Sequence, residues 1–143
     1  MAALSLRSES GSESGLKIFY SEALSHQIYA AADIVLVPSM FEPCGLTQMI
    51  GMRYGAVPVV RRTGGLADTV RDVEGAPEGE GSGYVFDGTD EASLYGALDR
   101  ALKDFKADPA AWGRLSRRNL RADVSWAAPG AEYVGLYSSL HGG

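Results

Sequence analysis

Apolar residues in this chain fall into short unbroken runs, separated by stretches where they recur every third or fourth position. Leu16-Lys17-Ile18-Phe19-Tyr20 is rich in branched and aromatic residues and reads as a short strand. Ser21 suits the cap of a following helix, which would place Leu24, Ile28 and Ala31 or Ala32 on one face. Ile34-Val35-Leu36-Val37, bounded by Asp33 and Pro38, is the continuous apolar run of a strand covered on both faces. A helix through Met49, Ile50 and Arg53 follows and stops at Gly55. Val57-Pro58-Val59-Val60 gives another strand, whose proline predicts a strand end or a position outside the ladder. Gly64-Gly65 then turns the chain into a short helix from Leu66 to Val70.

Glu74 to Gly83 is acidic and glycine-rich, the composition of a loop, and it ends at the strand Tyr84-Val85-Phe86. Asp90 caps a helix in which Leu94, Leu98, Ala101, Leu102 and Phe105 recur at helical spacing. Asp108-Pro109 opens another helix, and Tyr133 to Leu140 reads as a last one. Strands alternating with helices specify an α/β fold, a mostly parallel sheet with flanking helices. Residues 1–15 are rich in serine and carry Glu9 and Glu13, so they read as a disordered leader, leaving 16–143 as the folded part.

The length of 143 residues suits one domain with a real core. The net charge of -5 excludes a general nucleic-acid binder, which needs a basic excess to neutralise phosphates. Arg114, Arg117, Arg118 and Arg121 read as a solvated helix face. A single cysteine, Cys44, excludes an internal disulfide framework, and His26 and His141 have no partners at ligand spacing, so no metal site is expected. No apolar run approaches the roughly 20 residues that span a bilayer, so no membrane partner is expected. The leader lacks the apolar centre of a secretory signal, and its acids are unlike an organelle transit peptide.

The candidate chemistry lies in two stretches, Pro38-Ser39-Met40-Phe41-Glu42-Pro43-Cys44-Gly45-Leu46-Thr47-Gln48 and Arg62-Thr63-Gly64-Gly65-Leu66-Ala67-Asp68-Thr69. The first sets a carboxylate, a small-residue turn and a helix start directly after an apolar strand. Unpaired amides at a helix start attract anions, and glycine lets a phosphate approach the backbone. The amides of Gly45, Leu46 and Thr47 form the expected cradle, with the Thr47 hydroxyl as a further donor. The bland alternative is a plain strand–turn–helix connection. Glu42 would repel a phosphate, so it either points towards sugar hydroxyls or is a solvated turn residue. Only a substrate with both phosphate and polyol makes sense of the first option, and a sugar nucleotide is such a substrate.

Phe41 to Gln48, Met52-Arg53-Tyr54-Gly55 and Arg62 to Val70 resemble the starch synthase and bacterial glycogen synthase family, and Tyr20, Leu24-Ser25-His26, Ala32-Asp33 and Ser125-Trp126 fit its pattern. The wording at Gln48-Met49-Ile50 and Met52-Arg53-Tyr54 looks closest to plant and algal starch synthases. The resemblance implies an incomplete C-terminal Rossmann-like domain of a GT-B glycosyltransferase. Such enzymes transfer glucose from ADP-glucose, with retention, to the non-reducing end of a 1,4-α-glucan, in the plastid stroma for the plant branch. By position, Glu42 would be the catalytic-site residue that contacts the donor glucose. Cys44, Gly45, Leu46 and Thr47 would line the diphosphate and sugar, Tyr20 would stack on the adenine, and Thr63, Gly64, Gly65 and Leu66 would form a second glycine wall. No cofactor is implied beyond the donor substrate. Some relatives carry a second glutamate where this chain has Ile50, so a ribose contact there is not carried over. The family's N-terminal domain, with its Lys-x-Gly-Gly-Leu motif, and an Arg and Lys pair of the second domain are not located here. A fragment without synthase activity of its own is therefore expected. A non-catalytic nucleotide- or glucan-binding regulatory module and a bacterial glycogen synthase fragment are the alternatives.

Overall fold

The computed structural model describes residues 4–7, 13–16 and 20–141. Within the stretch expected to be a disordered leader, strands β1 (Leu4–Arg7) and β2 (Glu13–Leu16) pair antiparallel, with Leu4 opposite Leu16. Leu4-Ser5-Leu6-Arg7 alternates apolar and polar residues, which is strand periodicity, so the expectation of a structureless leader fails for these two segments. The rest of 1–15 lies outside the described residues. So does most of the strand expected at Leu16 to Tyr20, since 17–19 are not described.

Helix α1 (Glu22–Ala31) starts where Ser21 accepts a hydrogen bond from Leu24 N–H at 3.3 Å. Its inward face differs from the one expected. Ile28 is 55% exposed, and Tyr29 instead lies against Tyr54, with ring centroids 6.1 Å apart.

The main sheet consists of β3 (Ile34–Val37), β4 (Val57–Arg61) and β5 (Tyr84–Phe86), parallel and in that spatial order. Val35 stands opposite Pro58, and Val59 opposite Tyr84. Pro58 thus sits in the central strand, which its missing N–H would ordinarily forbid. Val57 N–H donates to Asp33 O at 2.9 Å, so by alternation the Pro58 nitrogen faces the β5 side, one position before the β5 ladder begins. The proline is at a ladder end as far as β5 is concerned.

Around the sheet lie α2 (Thr47–Arg53), α3 (Gly64–Thr69), α4 (Glu91–Ala107), α5 (Pro109–Arg121) and α6 (Ala127–His141). Asp90 and Asp108 cap α4 and α5, accepting from Ser93 N–H at 2.9 Å and Ala111 N–H at 2.8 Å. The strands bury both faces. Val57, Val59, Tyr84 and Phe86 meet Ala97, Ala101, Trp112 and Leu115 of α4 and α5. Val37, Val60 and Val85 meet Leu66 and Val70 on the other side. Ala97 was missed from the sequence and Leu102 was misjudged. The small Ala97 and Ala101 bring α4 close to the sheet, which leaves Leu102 on the outer side and 39% exposed. Helix α6 begins well before Tyr133 and buries no residue, so Trp126, Tyr133, Val134 and Tyr137 stand open to solvent.

The free edge of β5 is closed by an ionic clamp. Arg100 on α4 binds both carboxylate oxygens of Asp72 at 3.0 Å, Glu74 at 2.7 Å and the Val85 carbonyl at 2.9 Å. Burial alone would raise the Asp72 carboxyl. The Arg100 hydrogen bonds, the Val85 and Glu74 N–H donors and the Arg100 charge outweigh it and hold the group below its ordinary value. A depressed carboxyl adds stability that is fully present above its unfolded pKa and is lost as pH falls through the folded one. The urea midpoint should therefore decline as pH drops below about 4, and Asp72→Asn should lower the neutral-pH midpoint while removing that part of the decline. An unchanged acid limb in the variant would contradict this assignment.

Candidate functional site

The loops that leave β3 and β4 emerge side by side at the carboxyl edge of the sheet, the edge where open α/β sheets place ligands. They touch backbone to backbone. Gly65 N–H donates to Glu42 O at 3.0 Å. A Cβ on Gly64, whose φ is +44°, would run into that same Glu42 carbonyl, and one on Gly65 would run into Cys44 O. Gly45, at φ +69°, would bring a Cβ to 2.8 Å from the Gly65 carbonyl carbon and 2.6 Å from Gln48 Nε2. No larger residue fits at these three positions without parting the loops.

Glu42 is half-buried and its carboxylate is held at both oxygens. Oε1 accepts from Gly45 N–H at 3.1 Å and Oε2 from the Ser39 hydroxyl at 3.2 Å. The carboxylate is thus fixed by bonds within its own turn. The same bond corrects the expected amide cradle, since Gly45 N–H is engaged by Glu42. Leu46 begins the helical turn with no capping side chain. Gln48 draws the Gly45 carbonyl inward, and in a trans peptide the next N–H points the opposite way, so Leu46 N–H faces out.

Gln48 is fully buried. Its Nε2 donates to Gly45 O and, at 2.7 Å, to Thr69 Oγ1, which itself donates to Gly65 O at 2.6 Å. No role was assigned to Gln48 or Thr69 from the sequence. The signal that could have found them is a polar residue one helical turn before the core residue Met52, on the inward face of α2.

The other candidates are placed as follows. Cys44 is exposed, and its carbonyl lies under Gly65. Thr63 precedes α3 in extended conformation, and its carbonyl takes Leu66 N–H at 3.1 Å. The Leu66 side chain is fully buried among Val37, Val60, Val70 and Val85, so it anchors α3 and does not line a ligand wall. Leu46 and Tyr20 are exposed, Tyr20 to 91%, and among the described residues no hydrogen bond or ring contact joins Tyr20 to the glycine loops. Arg62 is paired with Asp87 at 2.8 Å, and Arg61 reaches Met40 O at 3.5 Å. A cavity of about 700 Å³ borders the far end of α3, lined by Asp68, Thr69, Arg71, Asp72 and Glu80 among others, and neither Glu42 nor Gly45 lines it. Among the described residues no cluster of His, Cys, Asp and Glu is arranged to hold a metal ion, and no helix is long and apolar enough to cross a membrane.

The loop contact sets a stability contrast between two glycines. Gly65→Ala should destabilise the fold by roughly 1–3 kcal/mol, the usual cost of overpacking. Gly96→Ala, in the α4 interior with open space around its Cβ, should stabilise by about 0.5–1 kcal/mol. Urea melts of both variants test the pair, and a Gly65→Ala protein as stable as wild type would refute the tight backbone contact.

The family described as Glycosyl transferases group 1 matches residues 16–118. A glycogen synthase of Desulforudis audaxviator is 49% identical over 120 residues, covering 84% of this chain and 24% of the relative. Starch synthase 3, chloroplastic/amyloplastic, of Arabidopsis thaliana is 48% identical over 140 residues, covering 94% of this chain and 13% of the relative. Among solved structures, the catalytic domain of Starch Synthase IV from Arabidopsis thaliana bound to ADP and acarbose matches with a TM-score of 0.80 and 45% identity, over 85% of this chain and 25% of that one. The chain thus spans about a quarter or less of the length of these relatives. Bacterial and plant identities are level, so the plant-like wording around Gln48 and Tyr54 does not separate the two branches.

Proposed function

The chain belongs to the group 1 glycosyl transferases, with the GT-B type of fold, and from that premise we propose that it carries the donor half-site of a starch synthase. The observation that carries this reading is the Glu42 carboxylate, gripped by Gly45 N–H and Ser39 between two glycine loops at the carboxyl edge of a parallel sheet. A carboxylate there opposes a bare phosphate. It suits a ligand that brings hydroxyl donors together with its phosphates, as ADP-glucose does. Glu42 then accepts hydrogen bonds from the donor glucose beside the reacting carbon. The Cys44 to Thr47 turn and the Thr63 to Gly65 turn flank the diphosphate, and Tyr20 stacks on the adenine.

The reaction is transfer of an α-glucosyl unit, with retention, to the non-reducing end of a 1,4-α-glucan. The leaving diphosphate needs cations, which the resemblance assigns to an Arg and Lys pair of this same C-terminal domain; Arg62, beside the Gly64-Gly65 turn, is paired with Asp87. The solved relative bound to ADP and acarbose supports both ligand classes. Starch as product and the plastid stroma as compartment follow the chloroplastic and amyloplastic relatives. The bacterial glycogen synthases, equally similar, keep glycogen as the second reading.

Two measurements test the proposal. In ¹⁵N-resolved NMR of the 143-residue chain, ADP-glucose should shift the amides of residues 44–47 and 63–65, and shifts confined to other regions would overturn it. In a radiolabelled glucose-transfer assay the chain alone should incorporate nothing. Fused in place of the matching segment of the Desulforudis audaxviator glycogen synthase it should be active, and Glu42→Ala should lower that activity by ~10²–10³-fold, the scale of one lost preorganised group.

A further inference from the structure

We propose that Gln48 is a positioning residue for the donor site: its carboxamide, acting through the Thr69 hydroxyl, sets the spacing of the two glycine loops and so the aim of Glu42. The inference rests on the reading of the site given above.

Gln48 is an expensive choice for its place. It is fully buried in α2, next to the core residues Gly51 and Met52. A methionine of similar volume would fill the space without desolvating an amide. The hydrogen-bond inventory shows what the amide is for. The Gly45 carbonyl can only accept, so the Gln48 atom facing it must be the nitrogen, and this fixes the orientation of the side chain. One amide proton goes to Gly45 O and the other to Thr69 Oγ1, while the single Thr69 hydroxyl proton goes to Gly65 O. Every proton in the relay has one acceptor, and the relay runs from the first glycine loop to the second. The amide oxygen, by contrast, is buried with no partner. The side chain is thus retained for its two N–H donors even though its oxygen is left unsatisfied.

Glu42 is what the relay controls. Its backbone carbonyl is fastened to one loop by Gly65 N–H, and its carboxylate to the other by Gly45 N–H. A shift of Gly45 against Gly65 therefore rotates the Glu42 carboxylate away from the sugar. The carboxylate lies at the end of its side chain, so a small shift of the loops moves it further than it moves the backbone that flanks the diphosphate. A residue that only supported the fold would affect nucleotide and sugar nucleotide alike. Gln48 should act on the sugar part.

Calorimetry on the 143-residue chain with two probes, ADP and ADP-glucose, decides the matter. Gln48→Met and Thr69→Val should each weaken ADP-glucose binding about tenfold, the worth of one hydrogen bond from the sugar to Glu42, with a clearly smaller loss for ADP. Thr69→Ser, which keeps the hydroxyl, should bind both probes as wild type does. Equal losses for the two probes, or none, would overturn the proposal and leave the donor site standing. A wild-type chain that binds neither probe would remove the site reading and this inference with it. Should Gln48→Met fail to fold, the Thr69→Val and Thr69→Ser pair decides alone.

Discussion

The site depends on a contact between two stretches of bare backbone. Adjacent parallel strands stand about 4.8 Å apart, so the loops that leave β3 and β4 have almost no room between them. Glycine at 45, 64 and 65 removes every side chain from that gap. With nothing between them, the peptide groups can reach each other, and Gly65 N–H closes on the Glu42 carbonyl. The Glu42 backbone is then placed by peptide geometry, which has few soft degrees of freedom, and its carboxylate is held by Gly45 N–H and the Ser39 hydroxyl.

The core fixes this edge from below. β4 is central, and its residues alternate between two buried clusters, so neither face can move without opening packed apolar surface. Leu66, the residue directly after the glycine pair, is driven into one of those clusters. It converts the hydrophobic force on the sheet into a fixed position for the second loop. On the first loop, α2 does the same with Met52 and Gly51, the latter so close to Val35 that a methyl group would clash. Packing and chemistry are thus one turn apart on both sides of the site.

Local signals were legible in the sequence, and long-range partners were not. The strands 34–37, 57–60 and 84–86 announced themselves by runs dominated by branched and aromatic residues, and Ser21, Asp90 and Asp108 by the chemistry of a cap. The string around Glu42 and the Gly64-Gly65 pair marked two loops that the fold brings into contact. What they do to each other depends on residues distant in sequence. That Gly45 N–H binds Glu42 could not be read from a helix-start pattern, because the competing acceptor comes from the turn itself. Leu66 looked like part of a glycine wall, but burial of its side chain outweighs the motif's continuity. Pro58 looked marginal to its strand, and only the register with β5 shows why a central position tolerates it. The Gln48 and Thr69 relay joins residues 48, 69 and 65, and no periodicity links those three positions.

The relay between the glycine loops is made of an amide, a hydroxyl and two carbonyls, none of which carries a charge. The clamp at the free edge of β5 is made of Arg100, Asp72 and Glu74, all of which do. Salt and protons therefore act directly on the clamp and have little hold on the relay. A change of ionic conditions would loosen the acidic loop along β5 while the spacing of the glycine loops, set by uncharged groups, stayed as it is.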